Sequence, residues 1–368
     1  MEMLIIPQAD TIPVAWGWLH FLLLLTFPLH LLAMNAMVGG LAIAIYQHFF
    51  GGETGRRLAH RIAIALPLVI AFVVNFGVAP LLLVQVLYGQ FLYTSSILMG
   101  FFWILVVPIL LVAYYLAYLY DFRFTRLGKA APWIAMVVFA LFLLIAFFYS
   151  GNMLLMTLPE RFTEYLNHRG GTFLSFAEAA FWPRFLHMVL GALAVGGLFV
   201  VLLGRLGEVK GSPLAVRSEN AGMQTFFAIT CVNILVGIWY LLSLQREQMM
   251  LFMGGNYGAT IAFVVALLLV CGALWGAWRK RFMVAFFHAI AVVVLMTFMR
   301  SWLRSSQLEH VFTLDQLEVV PQYGPMIIFF VSLAGGCVCL AWLVRKTVLA
   351  CVDERKRDGG AGWREAKQ

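Results

Sequence analysis

Apolar stretches long enough to cross a bilayer recur along the whole of this sequence, at about residues 15–46, 62–90, 92–120, 131–157, 176–204, 220–244, 257–278, 282–303 and 323–350. About 20 apolar residues coiled as helix cover the roughly 30 Å of hydrocarbon in a membrane. Inside that slab every backbone N–H and C=O needs an internal partner, which an α-helix supplies within a single segment. Composition agrees: 63% of the 368 residues are hydrophobic and only 11% charged, which excludes an ordinary water-soluble domain. The expectation is an all-α, polytopic membrane protein of nine transmembrane helices. Helices one to four are expected to form one four-helix bundle, five to eight a second, with a peripheral ninth helix. No internal repeat is evident in the sequence. Residues 1–350 read as a single transmembrane domain and 351–368 as a basic cytoplasmic tail.

Basic residues set the orientation. Arg56, Arg57 and Arg61 follow the first span, Arg123, Arg126 and Lys129 the third, Arg205, Lys210 and Arg217 the fifth, and Arg279, Lys280 and Arg281 the seventh. The C-terminal segment adds Arg345, Lys346, Arg355, Lys356, Arg357, Arg364 and Lys367. Only six of the 25 Lys and Arg remain for the opposite side. By the positive-inside rule the richer side is cytoplasmic, so the N-terminus is outside and the C-terminus inside. The net charge of +8 is thus a feature of topology. Spread over several loops, it gives no reason to expect a nucleic-acid partner.

Met1–Asp10 lacks a basic n-region and the first apolar stretch exceeds a signal-peptide core, so no cleavable signal is expected. Cys231, Cys271, Cys337, Cys339 and Cys351 form neither the C-x-x-C-H pattern of covalent haem attachment nor a zinc pattern. They read as small apolar residues, and any haem here is of the non-covalent b type. Of the outer loops, 158–176 and 304–322 are long. The latter carries Glu309, Asp315 and Glu318, acidic enough to face a basic partner.

Four histidines lie within apolar stretches: His20, His30, His187 and His288. An ionisable side chain in the membrane is costly and by default marks a functional site, often a metal or haem ligand. His20 follows Trp16 and Trp18 at the outer interface and reads first as structural. His30 lies roughly 15 Å deeper on the same helix and about 80° around its axis, so the two cannot share one metal. Pro28 frees a carbonyl that could orient the His30 ring. His187 follows Arg184 by one turn on the same face, which pairs an iron ligand with a cation for a haem propionate. His288 reads equally as a ligand or as a helix-bonding residue. His48, His60, His168 and His310 read as solvated loop residues, and Met253 and Met326 as possible thioether ligands. No Asp or Glu chain crosses the spans to carry protons, because Gln85, Asn75, Gln224 and Asn233 are polar but uncharged.

Taken together, these segments resemble subunit I of the cytochrome bd quinol oxidases. Phe21 through His30 and Gly39-Gly40 is similar to that family's first helix, with His30 at its axial histidine. Asn75-Phe76-Gly77, running to Gln85 and Gly89, resembles the family's second helix. Ser175-Phe176-Ala177-Glu178 through Pro183 to His187 is similar to the segment that leads to its low-spin haem histidine. The likeness covers about residues 15–205 and is topological beyond. It implies b haem on His30 and His187, with Arg184, His20, His288, Met253 and Gln85 as further cofactor-site candidates, and quinol as electron donor.

The departures bear on function. Gln85 stands where the family has a carboxylate, and Ile97–Pro108 offers no counterpart to the third-helix acid. The quinol loop shrinks to about Gln245–Asn256, and Leu295 or a neighbour replaces a haem-ligating glutamate. Only Arg300-Ser301-Trp302-Leu303-Arg304 lies near the place of the Gly-Arg-Gln-Pro-Trp signature. These losses fall on oxygen reduction and proton delivery, while both histidines remain. The resulting expectation is a membrane cytochrome b of the bacterial inner membrane that passes electrons between quinone and a periplasmic partner. That partner is a multihaem c-type cytochrome or another respiratory-complex subunit, and membrane lipid surrounds the protein. The rival readings are a divergent quinol oxidase that still reduces dioxygen, and a haem-free membrane anchor.

Overall fold

Polar punctuation divides the apolar sequence into helices. Pro132 and Pro213 fall in the first turn of their helices, and Ser212 and Asn256 cap the N-termini of theirs by accepting from the amides of Ala215 and Ala259. The computed structural model describes residues 6–207, 209 and 211–365, with side chains as far as Lys346. Lys210 and the side chains of the expected basic tail lie outside the described residues.

Among the described residues nine helices are long and apolar enough to cross a membrane, which makes this a multi-pass membrane protein. They are α1 (Trp16–Phe50), α2 (Gly52–Leu87), α3 (Gly100–Phe122), α4 (Ala131–Leu155), α5 (Phe181–Gly207), α6 (Pro213–Ser243), α7 (Tyr257–Trp278), α8 (Phe282–Leu308) and α9 (Tyr323–Glu365). The end at which α1 begins and α2 ends is called outer here, following the expected topology.

Two boundaries differ from the sequence expectation. Arg56, Arg57 and Arg61 stand on the first turns of α2 and not in a loop. The α1–α2 turn is only Gly51-Gly52, with Gly52 at φ +63°, and a Cβ on Gly51 would lie 2.5 Å from the Gln47 carbonyl oxygen. The third span starts at Gly100 because Gly89–Leu98 is a separate short helix. Ser95 Oγ donates to Asn152 Oδ1 at 2.7 Å and Asn152 Nδ2 to Ser96 Oγ at 3.0 Å, which pins that short helix to α4.

Helices α1–α4 bury one apolar core, around Leu41, Leu58, Ile62, Ala117, Tyr120 and Ala135. Helices α5–α8 bury a second, around Leu198, Val201, Phe226, Ala277, Phe282 and Ala285. The two expected four-helix bundles are therefore present, and they meet along α1 and α5. There Gly39 and Gly196 touch backbone to backbone, an approach that any side chain would block.

Counting back from this contact exposes an equivalence between the bundles. His30 precedes Gly39 by the same nine residues that separate His187 from Gly196, placing both about 14 Å along their helices from the contact. Nine residues make about two and a half turns, so each histidine points away from the seam and onto its own hairpin partner. His30 meets Gly77 of α2, and His187 meets Gly237 of α6. The halves thus repeat in space, although their sequences show no repeat.

Thr11–Ala15 and the chain from Glu318 onward form a unit of their own. Ile12 N donates to Glu318 O and Val320 N to Ile12 O, both at 2.9 Å, in one parallel bridge ahead of α9.

Candidate functional site

Histidines within a membrane need their ring nitrogens accounted for. At His30 a ring nitrogen, Nδ1, is 3.0 Å from the Val73 carbonyl oxygen on α2. A carbonyl can only accept, so Nδ1 carries the hydrogen and Nε2 keeps its lone pair. The orienting carbonyl comes from α2 and not, as expected, from the turn freed by Pro28. A Cβ on Gly77 would sit 2.9 Å from both Nδ1 and Cε1 but 3.7 Å from Nε2. The ring therefore lays its Nδ1–Cε1 edge on the helix and turns Nε2 away.

His187 repeats this arrangement. A Cβ on Gly237 would lie 3.1 Å from Cε1 and 3.3 Å from Nδ1, so the same edge rests on α6. Asn233 occupies the place that Val73 has beside His30, four residues before the glycine. It is the polar neighbour of the His187 ring. His187 Nδ1 and Asn233 Oδ1 are both buried without a completed hydrogen bond.

His288 is turned the other way. Its Nδ1 donates to Val284 O of its own helix at 2.8 Å, and its Nε2–Cδ2 edge presses on Gly272 of α7. With both nitrogens facing protein, it acts as a packing residue. His20 Nε2 hydrogen-bonds Ser301 Oγ at 2.7 Å, tying α1 to α8. His48 and His60, expected in loops, stand on α1 and α2 and flank Phe124, with His60 stacked on it at 4.4 Å. Gln85 is half-buried on α2, about 12 Å along the helix from the glycine that receives His30. Met253 is 55% exposed on the turn after α6, outside the span.

Arg184 lies near the outer start of α5, and its charge acts on Arg300 and Arg304 of α8. Arg300 sits over the Phe27 ring and Arg304 over the Tyr88 ring, each 5.0 Å from the centroid. Phe27 is one turn from His30, so this basic group reaches from one bundle to the other. Glu178, in the segment leading to α5, pairs with Arg161 at 2.8 Å.

This donor set does not suit a bare metal ion, since among the described residues no three His, Cys, Asp or Glu side chains come together. It suits b haem, which takes one or two axial donors from the protein and cations for its propionates. His30 and His187 each offer an Nε2, and Arg184 and Arg300 stand near them. Sequence reasoning missed Val73, Gly77 and Gly237 as parts of the site. Their only sequence signal is a glycine one turn after the residue that meets the histidine. No family model matches the chain, and no curated protein matches it.

Proposed function

We propose that this protein is a bd-oxidase-like membrane cytochrome b of a bacterial inner membrane, which transfers electrons between quinol and a periplasmic c-type cytochrome without reducing dioxygen. The observation that carries this reading is the matched pair His30 and His187. Both lay the Nδ1–Cε1 edge on a glycine of the hairpin partner, and at His30 the Val73 carbonyl fixes Nδ1 as the donor and leaves Nε2 to ligate. An iron-ligating histidine is commonly held through its other ring nitrogen in this way. Bound there, b haem supplies one-electron redox chemistry, while the chain supplies the axial imidazoles, the propionate cations and a low dielectric.

Two further features support the assignment. Proton uptake for oxygen reduction has no carboxylate route through the spans, as Gln85 illustrates. On the outer side, Glu247, Glu309 and His310 line a cavity of about 410 Å³, acidic enough to receive a basic partner. Purified protein is expected to show the α-band of b haem in reduced-minus-oxidised spectra, and no oxygen uptake with a quinol. A haem content of zero removes the reading, and quinol-dependent oxygen uptake replaces it with the oxidase reading.

A further inference from the structure

Three guanidinium groups at the outer ends of α5 and α8 form no ion pair among the described residues. Arg300 and Arg304 are one turn apart on α8, and Arg184 acts on both. Arg304 is 9% exposed. Aromatic faces, Phe27 under Arg300 and Tyr88 under Arg304, offset part of this charge. Carboxylates do not, because among the described residues none forms an ion pair with any of the three. The charged and titratable groups beside Arg300 and Arg304 are the other arginines, Tyr240, Tyr88, His30 and His20. Beside them, Tyr88 is 2% exposed, and its buried hydroxyl stands by the Arg304 guanidinium without a completed hydrogen bond. His20 and Ser301, bonded to each other, stand next to Arg304. The group is rich in donors, and the Tyr88 hydroxyl among them is unused.

We propose that Arg184, Arg300, Arg304 and the Tyr88 hydroxyl form a receptor for a dianionic oxygen group, either a phosphate or a pair of carboxylates, at the outer ends of α2, α5 and α8. Like charges held out of water require counter-charge, and a monovalent ion leaves most of this cluster unneutralised. Guanidinium forks pair bidentately with carboxylate or phosphate oxygens, and a phenol adds a fourth donor. The shared chemistry has two sources: the propionates of b haem, or the phosphate of an anionic lipid. The first rests on the function proposed above and the second does not.

The test uses the full chain, purified as wild type and as Arg304→Gln, Arg304→Lys and Tyr88→Phe. In the haem arm, redox titration and redox-difference infrared spectra are recorded. A propionate ligand predicts that Arg304→Gln lowers the midpoint of one b haem and shifts its carboxylate bands, with Arg304→Lys restoring part of the midpoint. In the lipid arm, thermal unfolding is compared in nanodiscs of phosphatidylcholine with and without phosphatidylglycerol. A phosphate ligand predicts that phosphatidylglycerol raises the unfolding midpoint of wild type, and that Arg304→Gln loses this response. Tyr88→Phe, which removes one hydroxyl and little packing, weakens whichever response is present. With no anion bound, deleting an unpaired buried hydroxyl stabilises instead. The proposal is overturned if the variants match wild type in both arms, or if Tyr88→Phe is stabilised with neither response altered. If no haem is found, the function above fails and the lipid arm alone decides the receptor.

Discussion

His30 and His187 occupy equivalent places in two bundles, but only His30 completes a hydrogen bond to the partner helix. Each ring rests on a glycine of its hairpin partner, and each points away from the Gly39–Gly196 contact. At His30 the fixing group is a backbone carbonyl, that of Val73, which cannot rotate or be deleted by substitution. At His187 the corresponding residue is Asn233, whose backbone and side-chain amide both stand beside the ring, with no hydrogen bond to Nδ1 completed. The difference teaches that helix geometry alone places both imidazoles, while the hydrogen-bond partner sets how firmly each Nε2 is aimed and how basic it is.

Six substitutions break or sharpen this comparison, and those of the histidines themselves have the largest expected effect. On the function proposed above, and because the rings face opposite sides of the α1–α5 seam, His30→Ala and His187→Ala are each expected to remove a separate part of the b-haem spectrum. Haem content per chain and the α-band of each variant measure this; complete loss in either single variant instead means that the two share one haem.

Next comes Gly196→Ala, whose methyl group enters the backbone of Gly39 and Gly40. Overpacking at a rigid contact costs about 3 kcal/mol or more, so thermal unfolding is expected to start well below that of wild type, with both haem signals weakened together. Loss of only one signal contradicts the equivalence of the bundles.

Gly77→Ala is expected to be worse than Gly237→Ala, because the added Cβ meets the His30 ring at 2.9 Å but the His187 ring at 3.1 Å. The costs are about 2 and about 1 kcal/mol on the scale of small overpacking, read by thermal unfolding. Each variant should perturb its own haem only.

The smallest effect belongs to Asn233→Val, which gives the second site the side chain found at the first. Removing the polar neighbour of the His187 imidazole is worth about 1 kcal/mol. A redox titration is expected to show one component shifted and the other unmoved. Equal shifts in both components would count against separate sites.

Much of the frame was legible in the sequence. The nine apolar stretches correspond to nine long helices among the described residues, because a hydrocarbon-length segment satisfies its own backbone as helix. His30 and His187 stood out as polar groups in apolar runs, and Arg184 as a cation one turn from His187. Less was legible wherever a residue's meaning depends on a distant segment. His288 read equally as a ligand or as a helix-bonding residue, and only its ring orientation, with Nδ1 bonded within its own helix, separates the two. His48 and His60 read as loop residues because the α1–α2 turn needs only two glycines. The third span started late because Ser95 and Ser96 bind Asn152, far along the chain.

The sequence by itself determined that this chain is a bundle of membrane helices and which histidines lie within them, since hydropathy and length are local properties. Only the tertiary structure decided that the halves are equivalent, that two histidines keep Nε2 turned from the helix while a third does not, and that Arg184, Arg300 and Arg304 gather at one end. The reason is that ring orientation and charge clustering depend on which helix faces which. Glycines such as Gly39, Gly77, Gly196 and Gly237 control that pairing through the side chains they lack.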